Sequence, residues 1–578
     1  MITGEGVSIL YPNNSDKGYK TVSASAMHDI GLDSICEKLS NVEAEQKLIM
    51  NVMAKLPPDA ATVKYRCDVF DDIMKFPEMR ERITELLDRI QFLKDFGSFK
   101  RELDSKPGIW DLLHRMDEIK DFIECIEAIS ECLSKTPVRS EGLVRLREYV
   151  GAIYEDASFR EMKKDIEKLR ASTQTVRSVT VGINLNERFE ATELGLISIN
   201  DKHFKSSNIV SNFANAVASK EGVRKGNDWN GDMHYREVTG KEGVLPNAML
   251  GFAKFQSFVT QPIFGAVIAS TVASVPEKDS TGSITHFMDH EVGGMLSLLV
   301  RKLRETLSRY VNVGIYNITA LIPEFTYYIR WAEYIEGLMK KGLKFCKAEA
   351  LEDSAAVRMR AKGLYNLKLC SIVTEENGEI VPNDLDFDDE HNLYILTGAN
   401  RGGKTTVTQA AGQLFALAQG GIYVPCESFS FVPADCIYTH FPADEDKTMD
   451  LGRLGEECTR FREIYGKCTD KSLVLLNETF STTSFEEGYY IAFDSVRALL
   501  KKGARTIYNT HMHKLAADVN TLGADGGKRK AASLVTMSDG GSRSFKVKAA
   551  PPQGMSFAKD IAEKYGVTYD MLSKMEQE

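Results

Sequence analysis

"NLYILTGANRGGKTTVTQAAGQLFAL", residues 392–417, decides how the second half of this chain folds. Leu393 to Leu396 is an apolar run of strand length. It leads into Gly398-Ala399-Asn400-Arg401-Gly402-Gly403-Lys404-Thr405, with Thr406 and an alanine-rich helical stretch behind. This is the G-x-x-x-x-G-K-[ST] phosphate loop in the strand–loop–helix setting that gives the pattern meaning. Its glycines let backbone N–H groups turn inward around phosphate oxygens, and the helix N-terminus adds the positive end of its dipole. Lys404 is expected to reach the β- and γ-phosphates of ATP, and the Thr405 hydroxyl to ligate Mg²⁺.

Downstream, "KSLVLLNETFSTTSFEEG", residues 471–488, has a second apolar run, Leu473 to Leu476, that ends in Asn477-Glu478. Nucleotide hydrolases often end such a strand in Asp-Glu, the first carboxylate serving Mg²⁺ and the second activating water. Here Asn477 offers a carbonyl oxygen without charge, and Glu478 keeps the place of the base. Loss of a supporting ligand of this kind costs about 10–100-fold in metal affinity or activity. Nucleotide binding is therefore expected to persist, with slow hydrolysis. A third strand, "ARTIYNTHMHKLA", ends at Thr510-His511, where a histidine is placed to contact the γ-phosphate.

At 578 residues and 64.5 kDa the chain is too long for one core, so two to four domains are expected. Hydrophobic residues at 43% and charged residues at 27% describe a soluble globular protein. No apolar run approaches the roughly 20 residues that span a bilayer, and the first residues lack signal-peptide order. Ten scattered cysteines without a CxxC pair lead us to expect reduced thiols in a cytoplasmic protein, with no structural zinc. The net charge of −10 means that a nucleic-acid partner would have to meet a local basic face.

Residues from about 25 to 345 read as mostly helical, and from about 346 the pattern turns α/β. Ile83, Leu86, Leu87, Ile90 and Leu93 form one helical stripe, and similar stripes run through 109–135, 155–172, 291–312 and 324–341. The aromatic "EFTYYIRWAEYIEGLMKK" is expected in the core. "VTVGINL", with Val179, Val181, Ile183 and Leu185 on one face, and then "LGLISIN" read as a small β insertion between helices. The stretch 200–245 that follows carries Lys202, Lys205, Arg224, Lys225, Arg236 and Lys241. Two readings stay open there: a solvated surface, or a tip that neutralises phosphates without reading sequence. "GADGGKRK" and "SDGGSRS", near 523–544, read as loops. In "HFMDHE", His286 and His290 stand one helical turn apart beside Asp289, but no third ligand is evident. A polar helix surface is the better reading.

"TGANRGGKTT", "IYVPCESFSFVPADCIYTHF", "LVLLNETFSTTS" and "TIYNTHMHKL" together resemble the ATPase domain of the MutS mismatch-repair family, an ABC-type ATPase. The resemblance is specific over about 380–578. "QGMSFAKDIAEKYGVTYDMLSK" is similar to the family's C-terminal helix-turn-helix dimer element, and over about 20–345 the likeness to the family's helical core is weaker. It implies a multidomain architecture: an N-terminal segment 1–24, an all-α core and lever over 25–176 and 290–345, a small β-containing clamp insertion over 177–289, and a P-loop ATPase domain over 346–578.

By the same resemblance, Ile380 and Val381 sit where the family packs adenine, with Asn383 beside them. Gly398, Ala399, Asn400, Arg401, Gly402, Gly403, Lys404, Thr405 and Thr406 match the phosphate loop. Glu478 matches the catalytic carboxylate and His511 the switch histidine, while Thr405 and Asn477 match the Mg²⁺ ligands. "DLGRLGEEC" falls where one subunit offers a motif to its partner's γ-phosphate, with Gly452 at the family's Ser, Leu454 at its Phe and Glu457 at its Glu. A homodimer on structured or duplex DNA is implied, with ATP binding and hydrolysis gating a clamp. Three departures stand out: Asn477 for Asp, Arg401 for an apolar residue and Gly452 for Ser. The family's wedging Phe-x-Glu domain and its connector find no room before the helical core, so wedge-type mismatch reading is not expected. The alternative is an ATP-switched interaction protein with little hydrolysis and no DNA substrate.

Overall fold

The structure, a computed structural model, describes residues 7–86, 109–173, 178–185, 187, 191–200, 235–236, 297–310, 321–355, 357–370, 379–399, 401–442, 452–522, 529–539, 542–552, 565–569 and 571–572. Two compact units emerge. One comprises Gly4–Arg89, Ile129–Val150 and Tyr316–Glu578, and the other Met1–Thr3, Ile90–Ala128 and Gly151–Ile315.

Besides a short antiparallel pair, Lys20–Thr21 with Lys55–Leu56, the larger unit holds two larger sheets. Strands β1 (Glu349–Ala350), β2 (Val357–Leu364) and β3 (Asn383–Asp388) precede β4 (His391–Thr397). Then come β5 (Ser428–Phe431), β6 (Ile437–His440), β7 (Leu473–Asn477), β8 (Arg505–Asn509), β9 (Lys530–Asp539) and β10 (Ser542–Ala549). The smaller sheet has the order β1-β5-β2-β3 and is mixed, and the larger has the order β6-β7-β8-β4-β9-β10. Its first five strands are parallel, and β10 returns antiparallel along β9. Every residue of β7 and β8 is buried, as expected of strands covered on both faces. Register fixes what meets at the C-terminal edge: Asn477 lies opposite Asn509, and Asn509 opposite Leu396. Ligands of open parallel sheets bind at such an edge.

At the opposite end of β8, the fully buried Arg505 guanidinium donates to the carbonyls of Val432, Pro433 and Lys471. "SDGGSRS" is not simply a loop. Ser538 pairs with Arg543 and Asp539 with Ser542, so both strands extend into this stretch. Alternating apolar residues on the returning strand outweigh the local turn composition.

Helix α6 (Lys404–Gln419) follows the phosphate loop and is apolar on nearly all sides because it is enclosed. Helices α1 (Ala24–Asp29), α2 (Leu32–Leu39), α3 (Glu43–Ala54), α4 (Ala60–Lys75) and α5 (Leu321–Lys340) belong to the same unit. Several of them reach α6. Gln413 donates to the Ile30 carbonyl at 2.8 Å, Gln409 to that of Asp29 at 2.7 Å and Gln419 to that of Pro57 at 2.8 Å. The aromatic stretch in α5 is core, as expected: Phe325, Tyr327, Tyr328 and Trp331 are buried. The Tyr327 hydroxyl donates to the Gly420 carbonyl at 2.9 Å.

A Cβ on Gly412 would stand 2.6 Å from Ile30 Cγ2 and 2.9 Å from Leu475 Cδ1. Overpacking of this kind costs about 1–3 kcal/mol, against about 1 kcal/mol of helix propensity gained. Gly412→Ala is therefore expected to lower stability by about 1 kcal/mol net. A urea midpoint equal to or above wild type would contradict this packing.

In the smaller unit, Ala157–Thr173 and Ser297–Leu307 are helical, and Ser178–Leu185 pairs antiparallel with Ala191–Asn200. Tyr235–Arg236 adds a third strand. Ile119, Phe122, Ile126, Phe159, Met162 and Leu169 supply buried core. The two segments read as strands from the sequence thus pair with each other. Of the first helical stripe, Ile83 and Leu86 are buried. Leu87, Ile90 and Leu93 lie outside the described residues, as do Lys202, Lys205, Arg224, Lys225, Lys241, His286, Asp289 and His290. The backbone of Arg236 is described in the third strand. The helical N-terminal region is followed by α/β sheets, as the patterns imply, and among the described residues no helix is long and apolar enough to cross a membrane.

Candidate nucleotide site

The phosphate loop leaves β4 through Gly398, whose φ of +139° and near contact with Thr536 both exclude a side chain. Arg401 (φ +59°) is exposed, and Gly403 (φ +90°) is the N-cap of α6. Asn400 lies outside the described residues. Lys404 is only 6% exposed, and its Nζ donates to the carbonyls of Gly398 at 3.1 Å and Ala399 at 3.2 Å. Burial lowers its pKa, and the charge of Glu478 partly offsets this. Thr406 accepts from Asn366 through its carbonyl at 3.1 Å.

Thr405 Oγ1 donates to Asn477 Oδ1 at 3.1 Å, so the hydroxyl and the amide oxygen stand side by side at the mouth of the loop. Asn509, directly across from Asn477 on β8, donates its Nδ2 to both of these oxygens. Thr405 and Asn477 supply hard oxygens, the donor type Mg²⁺ takes, and a cation that keeps several waters needs few protein ligands. Among the described residues no group of three His, Cys, Asp or Glu could hold a metal. A cation here would therefore be shared with phosphate oxygens, and the residues fit that arrangement.

Glu478 follows with φ +51°, a sparsely populated backbone for a non-glycine residue, and its N–H donates to the Asn509 carbonyl at 2.9 Å. Its carboxylate receives the His511 N–H at 3.3 Å and lies 3.0 Å from His511 Nε2. Burial raises the Glu478 pKa to about 6, opposed by Lys404 and the His511 N–H. Burial, with Lys404 and His513 nearby, lowers His511 to about 4. Near neutrality the pair is thus a carboxylate beside a neutral imidazole.

The loop after β7 is tied down from below. The Tyr508 hydroxyl donates to the Thr479 carbonyl at 2.6 Å, and Thr479 Oγ1 lies 3.2 Å from His440 Nδ1. Helix α7 (Gly452–Lys467) begins at an exposed Gly452 with φ +68°. Burial raises the Glu457 pKa, and the Phe480 N–H and the Thr482 hydroxyl oppose the shift. Glu457 therefore leans on the loop after β7 of its own chain, and the structure does not bring it or Gly452 to the phosphate loop. Helix α8 (Phe485–Lys502) is capped by Ser484, which accepts from the Glu487 N–H at 3.4 Å.

Ile380 and Val381 are half-buried just before β3. Asn383 is committed to backbone: it accepts from the Val547 N–H at 2.7 Å and donates to the Phe545 carbonyl at 3.1 Å. That clip holds Phe545, 44% exposed at φ +54°, with its ring 3.5 Å from where a Cβ on Gly403 would stand. Sequence reasoning missed Phe545 and Asn509. An aromatic shortly after a Gly-Gly pair in the sequence was the local trace of the first, and the second needed strand register.

Residues 394–544 match MutS domain V, and residues 58–222 match the MutS2 N-terminal domain. Endonuclease MutS2 of Caldicellulosiruptor bescii is 27% identical over 290 residues, 46% of this chain and 36% of that protein. DNA mismatch repair protein MutS of Chlorobium chlorochromatii is 35% identical over 137 residues, 24% of this chain and 16% of that protein. DNA mismatch repair protein MutS 2 of Halobacterium salinarum is 31% identical over 156 residues, 26% of this chain and 18% of that protein. The matches thus span about a third or less of the length of these relatives. With a match to MutS domain V around its phosphate loop and a match to the MutS2 N-terminal domain ahead of it, the chain carries MutS-family sequence in both halves.

Proposed function

We propose that the protein is a DNA-binding ATPase that works as a homodimer, with ATP binding and slow hydrolysis controlling its hold on structured or duplex DNA. The observation that carries this reading is the convergence of Lys404, Thr405, Asn477, Glu478 and His511 on one sheet edge. Loop N–H groups and Lys404 bind the phosphates. Thr405 and Asn477 hold the Mg²⁺, which when bound neutralises phosphate charge. Glu478, ionised near neutrality, orients the attacking water and takes its proton, and His511 holds the Glu478 carboxylate in place. Ile380, Val381 and the exposed Phe545 ring would hold the adenine, the ring by stacking. Gly452 and Glu457 face the partner subunit's nucleotide, and residues 177–289 form the clamp that meets DNA. Relatives named as mismatch-repair proteins support the choice of DNA.

Gel-shift titrations with duplex, junction and single-stranded DNA, with and without ATP and Mg²⁺, test this. Nucleotide should change the affinity for at least one DNA by about 5–150-fold, the usual span of coupling between sites. Binding to none of the three, under either condition, would favour the nucleotide-switched interaction protein instead.

A further inference from the structure

The amide at 477 raises a difficulty that a carboxylate would not. Both oxygens of an Asp are acceptors, so either rotation about its last bond serves a cation. An Asn presents one oxygen and one NH₂ group, and the wrong rotation puts a donor where an acceptor is needed. Asn477 Oδ1 faces Thr405 Oγ1 at 3.1 Å, and the Asn509 Nδ2 donates to both oxygens at once. Strand register places Asn509 there, directly opposite Asn477, and both side chains are buried at 1% and 8% exposure. Among the described residues the buried Asn509 Oδ1 has no hydrogen-bond partner, so the pair is not arranged to satisfy Asn509 itself.

We infer that Asn509 is a positioning residue, whose amide donor holds the Asn477 oxygen toward Thr405 so that an Asn–Asn pair does the work of a single metal-supporting carboxylate. This rests on the nucleotide-site reading above. It makes the effect of Asn509 conditional on which residue stands at 477. With Asn477, removing the donor frees the amide to rotate. After Asn477→Asp there is no wrong rotation to prevent.

The test is a double-mutant cycle read by calorimetric titration with ADP, in excess Mg²⁺ and again with a chelator. Asn509→Ala should reduce the Mg²⁺-dependent gain in ADP affinity by about tenfold, the lower end for loss of a supporting group. The same change in an Asn477→Asp background should reduce it by less than about threefold. Affinity without Mg²⁺ should stay unchanged in both. Asn509→Leu, closer to isosteric, should repeat the result if the alanine variant folds poorly, and thermal unfolding without ADP identifies such a case. Equal losses in the two backgrounds would reduce Asn509 to a structural part, and no loss in either would remove its role. If the wild-type protein binds no ADP under either condition, the nucleotide reading itself fails, and this inference with it.

Discussion

Glu478→Gln should turn over ATP about 10²–10⁴-fold more slowly than the wild type, the usual contribution of a positioned general base. The amide keeps the size and most of the contacts of the carboxylate, so ATP binding should survive. The pH dependence carries the sharper signature. Burial raises the Glu478 pKa to about 6, so the wild-type rate should climb as pH rises through about 6 and then level. His511, held near 4, is neutral throughout that range and adds no second limb there. The variant should show neither the climb nor the plateau.

Stability runs the other way. A carboxyl whose folded pKa lies above its unfolded value contributes stability below the unfolded pKa, and loses it as pH rises through the folded one. At neutral pH the ionised Glu478 therefore costs the fold something, and the glutamine variant should melt at the wild-type temperature or above. Steady-state phosphate release across the pH range, beside a melting curve, checks both. Equal background rates for the two proteins would leave a nucleotide-binding switch in place of an enzyme.

What could be read in the sequence was what sits locally in the chain. The phosphate loop announces itself because Gly398, Gly403, Lys404 and Thr405 must lie within one turn of chain to wrap one group of phosphates. Asn477 and Glu478 were legible because a fully buried parallel strand is a continuous apolar run with an abrupt polar end. The aromatic α5 could be assigned to the core for a similar reason, since its burial is written into its own composition. Other features depend on chain segments that are distant in sequence. Nothing within a few residues of Asn509 says that it will stand opposite Asn477, because that follows from the register of β7 against β8. Phe545 stands beside Gly403 where Asn383, more than 160 residues earlier, clips the Phe545 carbonyl and the Val547 N–H. The packing of Ile30, just past the end of α1, against Gly412 in α6 likewise joins positions some 380 residues apart, and no local periodicity encodes it.

Lys404→Ala should weaken ATP binding by about 10²–10³-fold, as expected when a charge-assisted contact to phosphate is lost from a largely desolvated site. It should do so without destabilising the fold. Lysine at this position is buried, and its hydrogen bonds go to two loop carbonyls, Gly398 and Ala399, with no carboxylate among the described residues in direct contact. Its lowered pKa means that the surroundings disfavour the ammonium relative to water, despite the pull of Glu478. A group whose charged form is penalised in the folded state adds nothing to stability at neutral pH, so its removal should leave the melting temperature unchanged or slightly higher. Phosphate oxygens reverse the balance by replacing neutral carbonyls with negative charge, which is why the energy of this lysine is expressed on binding. The wild type should therefore gain several degrees of melting temperature in saturating ATP by mass action, while the variant gains little at the same concentration. Calorimetry gives the affinities, and paired melting curves give the rest. A variant that melts well below the wild type without nucleotide, yet gains as much from ATP, would make Lys404 a structural prop of the loop and remove it from phosphate binding.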